Sequence, residues 1–191
     1  MKKEIKWSLI SSAIFAVAGA LIFYLYTRDL TAIYTGFSLN DLWYVPLSLL
    51  VVLLIHETYY YWIHRWMHRP GIYRQIHKVH HDSLTPTPWT AFSFHPWEAA
   101  LEAIILPAIL LLIPLHLYAV LAYLVFMTLS SVINHLDIEI YPESFQKHKL
   151  GRLFIGATHH HYHHSEFNTN YGLYFTFWDK WMNTESEKME H

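Results

Sequence analysis

The sequence predicts an all-α, polytopic membrane protein of about four transmembrane helices beneath a histidine-rich helical cap. Three observations predict it: a charge-free apolar run over residues 7–26, a second apolar block over 99–135, and histidines gathered into the polar segments. The chain has 191 residues, which suits one membrane-embedded domain over 1–191 and leaves no room for a second catalytic domain.

The first span covers roughly 7–26, about twenty residues and enough at ~1.5 Å per residue to cross a hydrocarbon layer of roughly 30 Å. A cleaved signal peptide is the alternative, because Lys2 and Lys3 precede the run and Ala16, Ala18 and Ala20 mimic a cleavage site, although the run is longer than a usual signal core. The second span covers 42–63, with Leu42 to Ile55 passing into Tyr59, Tyr60, Tyr61 and Trp62, an interfacial aromatic belt. The block over 99–135 breaks at Pro114, Leu115 and His116, which predicts a hairpin of spans at 98–114 and 117–135, with Pro107 kinking the first arm. Glu102 lies in that arm and belongs near the interface or facing the interior, since lipid exposure is costly.

Lys2, Lys3 and Lys6 flank the first span and Arg65, Arg69, Arg74 and Lys78 follow the second, whereas the loop between them carries only Arg28. By the positive-inside rule the N-terminus and the histidine segments are cytoplasmic.

Lys and Arg number 13 against 15 Asp and Glu, so the net charge of −2 provides no basic field for nucleic acid. There is no cysteine, which excludes disulfides, thiolate metal sites and cysteine nucleophiles. The sequence has no second histidine after His56-Glu57 to complete a zinc-protease motif, and no Gly-x-Ser-x-Gly, phosphate-loop or dinucleotide glycine pattern. No bound organic cofactor is therefore expected, and electrons for any redox chemistry must come from another protein.

The 16 histidines need a reason other than packing. His64 and His68 are four apart and share a helix face; His77, His80 and His81, and again His160, His163 and His164, repeat spacings of three and four that make a triangular imidazole surface on a helix. These eight exceed the four to six ligands of one ion, which argues for two metals, and imidazole suits iron, zinc, copper or nickel. His135 ends the fourth span at the depth of the clusters and is a candidate ninth ligand. Glu57 falls within ~20° of the His64 and His68 face, where its carboxylate is placed to accept an imidazole N–H, while His56 is ~80° away. His159 and His161 flank the third cluster on other faces as supporting or crowding groups. His116, His148 and His191 read as structural or solvated.

These boxes resemble the fatty acid hydroxylase and sterol desaturase superfamily of integral membrane enzymes, whose pattern is HxxxH, HxxHH, HxxHH. Further matches are Glu57-Thr-Tyr-Tyr-Tyr-Trp-Ile-His-Arg, Phe94-His95-Pro96-Trp97-Glu98, Asn134-His135, Asn170-Tyr171-Gly172 and Trp178-Asp179, so that the resemblance covers roughly 55–183. It implies a four-helix scaffold under a cytoplasmic cap and a di-iron centre of two iron ions using dioxygen. It also implies a separate electron donor of ferredoxin or cytochrome type and a lipid substrate (fatty acyl, sterol, sphingoid or carotenoid) that is hydroxylated or desaturated. Related hydroxylases carry another histidine pair before the last box, where this chain has His135 and then Glu139. A lipid chain entering laterally would pass Tyr59, Tyr60, Trp62 and Trp89, residues that otherwise read as interface anchors. The alternative function is a zinc or other metal transporter or storage protein, which calls for ligands along a path through the membrane.

Overall fold

Long apolar stretches can satisfy their backbone polar groups only within themselves, and they do so here as helices. The structure, a computed structural model, describes residues 1–189. Four helices carry the apolar segments: α1 (Lys2–Thr27), α2 (Asp41–Met67), α5 (Pro96–Leu112) and α6 (Leu117–Asn134). Between and after them come the short cap helices α3 (Pro70–Tyr73), α4 (Lys78–His81), α7 (Glu143–Lys147), α8 (Ala157–Glu166) and α9 (Phe177–Trp181). Three of the four, α1, α2 and α6, are long and apolar enough to cross a membrane; α5 has 17 residues, the short end of what a span requires. Only 11% of the apolar window of α1 is buried inside the protein, so most of that surface needs an apolar surrounding that water does not supply.

Two helices run further than the apolar patterns alone predict. α1 begins at Lys2 because Glu4 is anchored: its carboxylate accepts the Ser83 hydroxyl at 2.8 Å and the Thr87 hydroxyl at 2.9 Å, tying the helix start to the loop after α4. α2 continues to Met67 and so carries His64 on its final turn. Pro46 and Pro107 are both accommodated inside helices, in α2 and α5.

The hairpin turn at 114–116 is more than a turn. Leu115 and His116 form a two-residue parallel pairing with Ile33 and Tyr34 of the α1–α2 connection, a small strand element that an all-α reading did not contain. His116 is buried rather than solvated, and its Nδ1 accepts the Tyr118 N–H at the start of α6. Its role is a helix cap.

The core joins Val52 and Leu53 of α2, Ile105, Ile109 and Leu110 of α5, and Ala119, Val120 and Tyr123 of α6. α1 packs on α5 and on the 3-10 turn Thr90–Phe92, with the Ser11 hydroxyl donating to the Phe94 carbonyl.

Candidate metal centre

The final turn of α2, helix α4, the C-cap of α6 and helix α8 bring nine histidines together, none more than 6% exposed. They form two groups. In one, His64, His68, His77, His81 and His163 each offer a ring nitrogen, and all lie within 4.8 Å of one another; in the other, His80, His135, His160 and His164 do the same. The candidate ninth residue, His135, joins the second group.

Each HxxHH box is divided between the groups, so the expected triangular surface is not one site. His77 and His81, one helical turn apart, face the first group, while His80 faces the second; in α8, His160 and His164 face the second and His163 the first. His80 beside His81 and His163 beside His164 thus place the two groups against each other, with the His81 and His164 ring centroids 4.6 Å apart.

The protonation pattern follows from the partners. A carbonyl or carboxylate oxygen can only accept, so the Nδ1 nitrogens facing such oxygens carry the hydrogen. His64 Nδ1 donates to the Tyr171 carbonyl (2.9 Å), His77 Nδ1 to Glu98 Oε1 (2.6 Å), His163 Nδ1 to the Thr169 carbonyl (2.7 Å) and His135 Nδ1 to the Ser131 carbonyl (2.7 Å). Their Nε2 lone pairs are left pointing inward. Burial, reinforced by neighbouring imidazoles, holds His77, His80, His81, His160 and His164 well below the usual imidazole range, and burial lowers His163 to about 4, so the cap rings are neutral.

With these tautomers His64 Nε2 and His77 Nε2, 3.0 Å apart, present two lone pairs to each other and no hydrogen between them. A similar convergence joins His81 and His163 (3.0 Å), and joins His135 to His160 (2.9 Å) and to His80 (3.3 Å). Adjacent nitrogens that share one cation at roughly 2.1 Å stand about 3 Å apart. The donor set therefore fits metal ions, with neutral nitrogen ligands of the kind iron and zinc accept.

The surrounding acids differ from expectation. Glu57 does not accept an imidazole N–H. Its carboxylate accepts the backbone N–H groups of Leu173 (3.2 Å), Tyr174 (2.7 Å) and Phe175 (3.3 Å), because α2 passes beneath that loop. The supporting carboxylate is Glu98, four residues before Glu102 in the first turns of α5; an acid opening an apolar helix was the available signal. Truncating it in Glu98→Ala leaves the His77 Nδ1–H buried without an acceptor. Metal affinity is expected to fall roughly 10–100-fold, with Glu98→Gln recovering part of it, as read by chelator competition.

Glu139, at the position where related hydroxylases have a histidine, lies in neither group. It accepts the Tyr141 N–H at 3.0 Å and the Thr158 N–H at 3.1 Å, and so caps the start of α8. Glu139→Ala should cost about 1 kcal/mol, a fall of roughly 2–4 °C in Tm, without reducing the metal held per chain.

Asp179 accepts the Tyr171 and Gly172 N–H groups (2.8 and 2.9 Å) and the Thr184 hydroxyl, which fixes the loop whose Tyr171 carbonyl orients His64. A Cβ at Gly172 would stand 2.7 Å from both Ile155 Cδ1 and the Phe175 carbonyl, so only glycine fits this close approach. The Asn170-Tyr171-Gly172 and Trp178-Asp179 matches are thus structural supports of the centre.

His159 is buried outside both groups, its ring nitrogens without a hydrogen-bond partner among the described residues, and His161 pairs with Asp137 at 2.8 Å. His95 caps α5 through the Trp97 N–H, His148 is exposed, and His191 lies outside the described residues.

A cavity of about 520 Å³ lies between α1, α2, α5 and α6 and reaches His135 and His160 of the second group. Tyr60 lines it; Tyr59, Trp62 and Trp89 do not. Tyr59 donates to the Leu101 carbonyl, Trp62 packs edge-on against Trp178, and Trp62 and Trp89 stay nearly half exposed, which suits the anchoring role.

Fold and site together define an all-α protein of membrane-length apolar helices that carries a histidine-built metal-binding site. The chain belongs to the fatty acid hydroxylase family, whose model matches residues 49–184. Among curated proteins it is similar to a lathosterol oxidase of Homo sapiens, 29% identical over 183 residues that make up 94% of this chain and 59% of that protein. It is also similar to two proteins named Delta(7)-sterol 5(6)-desaturase. One, from Eremothecium gossypii, is 33% identical over 94% of this chain and 50% of its own; the other, from Gibberella zeae, is 27% identical over 99% and 57%. The chain thus spans half to three fifths of the length of these relatives. No solved structure matches it.

Proposed function

We propose that this protein is an iron-dependent, dioxygen-using oxidoreductase that hydroxylates or desaturates a lipid of fatty acyl, sterol or carotenoid type. The observation that carries the reading is the cavity: apolar walls from four helices lead to two imidazoles of the second group, where a hydrocarbon chain can meet a metal centre. The relatives' names, lathosterol oxidase and sterol desaturase, point to the same class of chemistry.

The nine histidines would hold two iron ions, five ligands on one and four on the other. Iron so held supplies dioxygen activation and the oxidation of an unactivated C–H bond. The residues around it do the remaining work. Glu98 and the Tyr171, Thr169 and Ser131 carbonyls fix ring orientation and tautomer. The walls of the cavity exclude water and hold the chain of the lipid beside His135 and His160. Position along the cavity decides which carbon is oxidised and whether one oxygen is added or two hydrogens are removed.

Electrons come from a separate ferredoxin or cytochrome, and the centre faces the cytoplasm, where Arg65, Arg69, Arg74 and Lys78 surround the end of α2. Against the transport alternative, all nine rings converge on one region instead of marking a path.

The test is turnover. Protein purified in lipid nanodiscs and loaded with ferrous iron is given dioxygen, a ferredoxin reducing system and a panel of lipids, and the products are read by mass spectrometry. Gain of one oxygen or loss of two hydrogens in one lipid class is expected. Metal flux across vesicles with no oxidised product would overturn the reading.

A further inference from the structure

Beneath the histidine groups, the same cavity has a polar end that metal binding does not explain. His56 on α2 is 2% exposed and lines the cavity. Its Nδ1 is engaged by the hydroxyls of Tyr123 (2.7 Å) and Tyr174 (2.8 Å), while its Nε2 is buried with no hydrogen-bond partner among the described residues. Glu102 of α5 and Tyr60 of α2 line the same cavity. A histidine and a glutamate within apolar helices are costly in a membrane unless something polar meets them. The Cα rise to His64 along α2 is about 12 Å from His56 and about 6 Å from Tyr60, whose ring lies 5.0 Å from that of His64 between centroids, and from Tyr123 to His135 along α6 it is about 18 Å, so this end extends downward from just beneath the metal centre.

We propose that His56, Tyr60 and Glu102 form a hydroxyl-binding subsite that holds the polar end of an uncharged lipid alcohol, with its hydrocarbon running toward His135 and His160. A hydroxyl both donates and accepts: where the tyrosine hydroxyls donate to Nδ1, His56 Nε2–H donates to the ligand oxygen and the ligand hydrogen goes to Glu102, and in the other tautomer the ligand donates to Nε2 and accepts from a protonated Glu102. An ether oxygen can only accept, and a carboxylate would carry a charge into an apolar cavity that has no cation to meet it among the residues lining it. The subsite would set the oxidised carbon at a distance from the hydroxyl, roughly 6–18 Å by the helix rises. This inference rests on the reading that the cavity receives the lipid substrate.

The test is a binding measurement that needs no turnover. The full chain in phosphatidylcholine nanodiscs is cross-linked with a diazirine-bearing hexadecanol. Hexadecanol, hexadecyl methyl ether and hexadecanoate then compete at known mole fractions of lipid, with and without iron. Hexadecanol is expected to displace the probe at least about tenfold better than the ether or the acid, since either leaves a buried polar group unpaired. That preference should collapse in Glu102→Leu and in His56→Phe, and weaken in Glu102→Gln, while iron per chain stays at the native value. Equal displacement by the ether, preference retained in the Leu and Phe variants, or no displacement by hexadecanol would each overturn the subsite. Loss of the oxidase reading would look different: no product from any lipid, with the hydroxyl preference intact.

Discussion

The double variants His81→Ala, His163→Ala and His160→Ala, His164→Ala should each retain about one iron per chain, and combining all four should leave none. The first pair removes two nitrogens 3.0 Å apart from the five-histidine group and leaves the four-histidine group whole; the second does the reverse. Each pair should lower turnover by more than the roughly 10–100-fold that supporting residues typically cost. Elemental analysis and activity on the same preparations check this. A centre organised box by box predicts another result, because His81 and His163 come from different boxes and their joint loss would then drain both metals.

Glu57→Ala should be the most destabilising single substitution outside the histidines. Its carboxylate is buried and accepts three backbone N–H groups from residues 173–175, of which the Tyr174 bond at 2.7 Å is the shortest. Leaving buried donors unpaired costs about 1–3 kcal/mol each, and partial relaxation of the loop brings the sum to about 3 kcal/mol. For a chain of this size that is a fall of roughly 6–12 °C in Tm, read by thermal unfolding in detergent. The same loop carries the Tyr171 carbonyl that orients His64, so iron affinity of the five-histidine group should fall with it. Glu57→Gln keeps an acceptor oxygen and should lose less than half as much.

The helices and the histidine clusters were legible because each rests on a local rule. A charge-free run long enough to cross a bilayer must be helical, and histidines four apart must share a face, as His64 and His68 do. What sequence spacing could not convey was the division of each box. His80 and His81 are neighbours in sequence, and only the docking of α4 between α2 and α8 sends them to different groups. Glu57 was misread for a related reason. Its angular position beside His64 and His68 was correctly placed on α2, but the 173–175 loop, more than a hundred residues later, occupies its carboxylate. Glu98 had the opposite fate: quoted within a motif, it had no evident partner until α5 was packed against α4 and His77. The strand pairing of 33–34 with 115–116 is likewise tertiary, two residues long on each side and without a period to detect.

The measurement that tests the account most directly is iron per chain in the unsubstituted protein, purified from iron-supplemented cells and compared with the two double variants. The account predicts close to two irons, and about one in each double variant. A single iron shared by all nine histidines, or binding that survives loss of both His81 and His163 together with both His160 and His164, would contradict it.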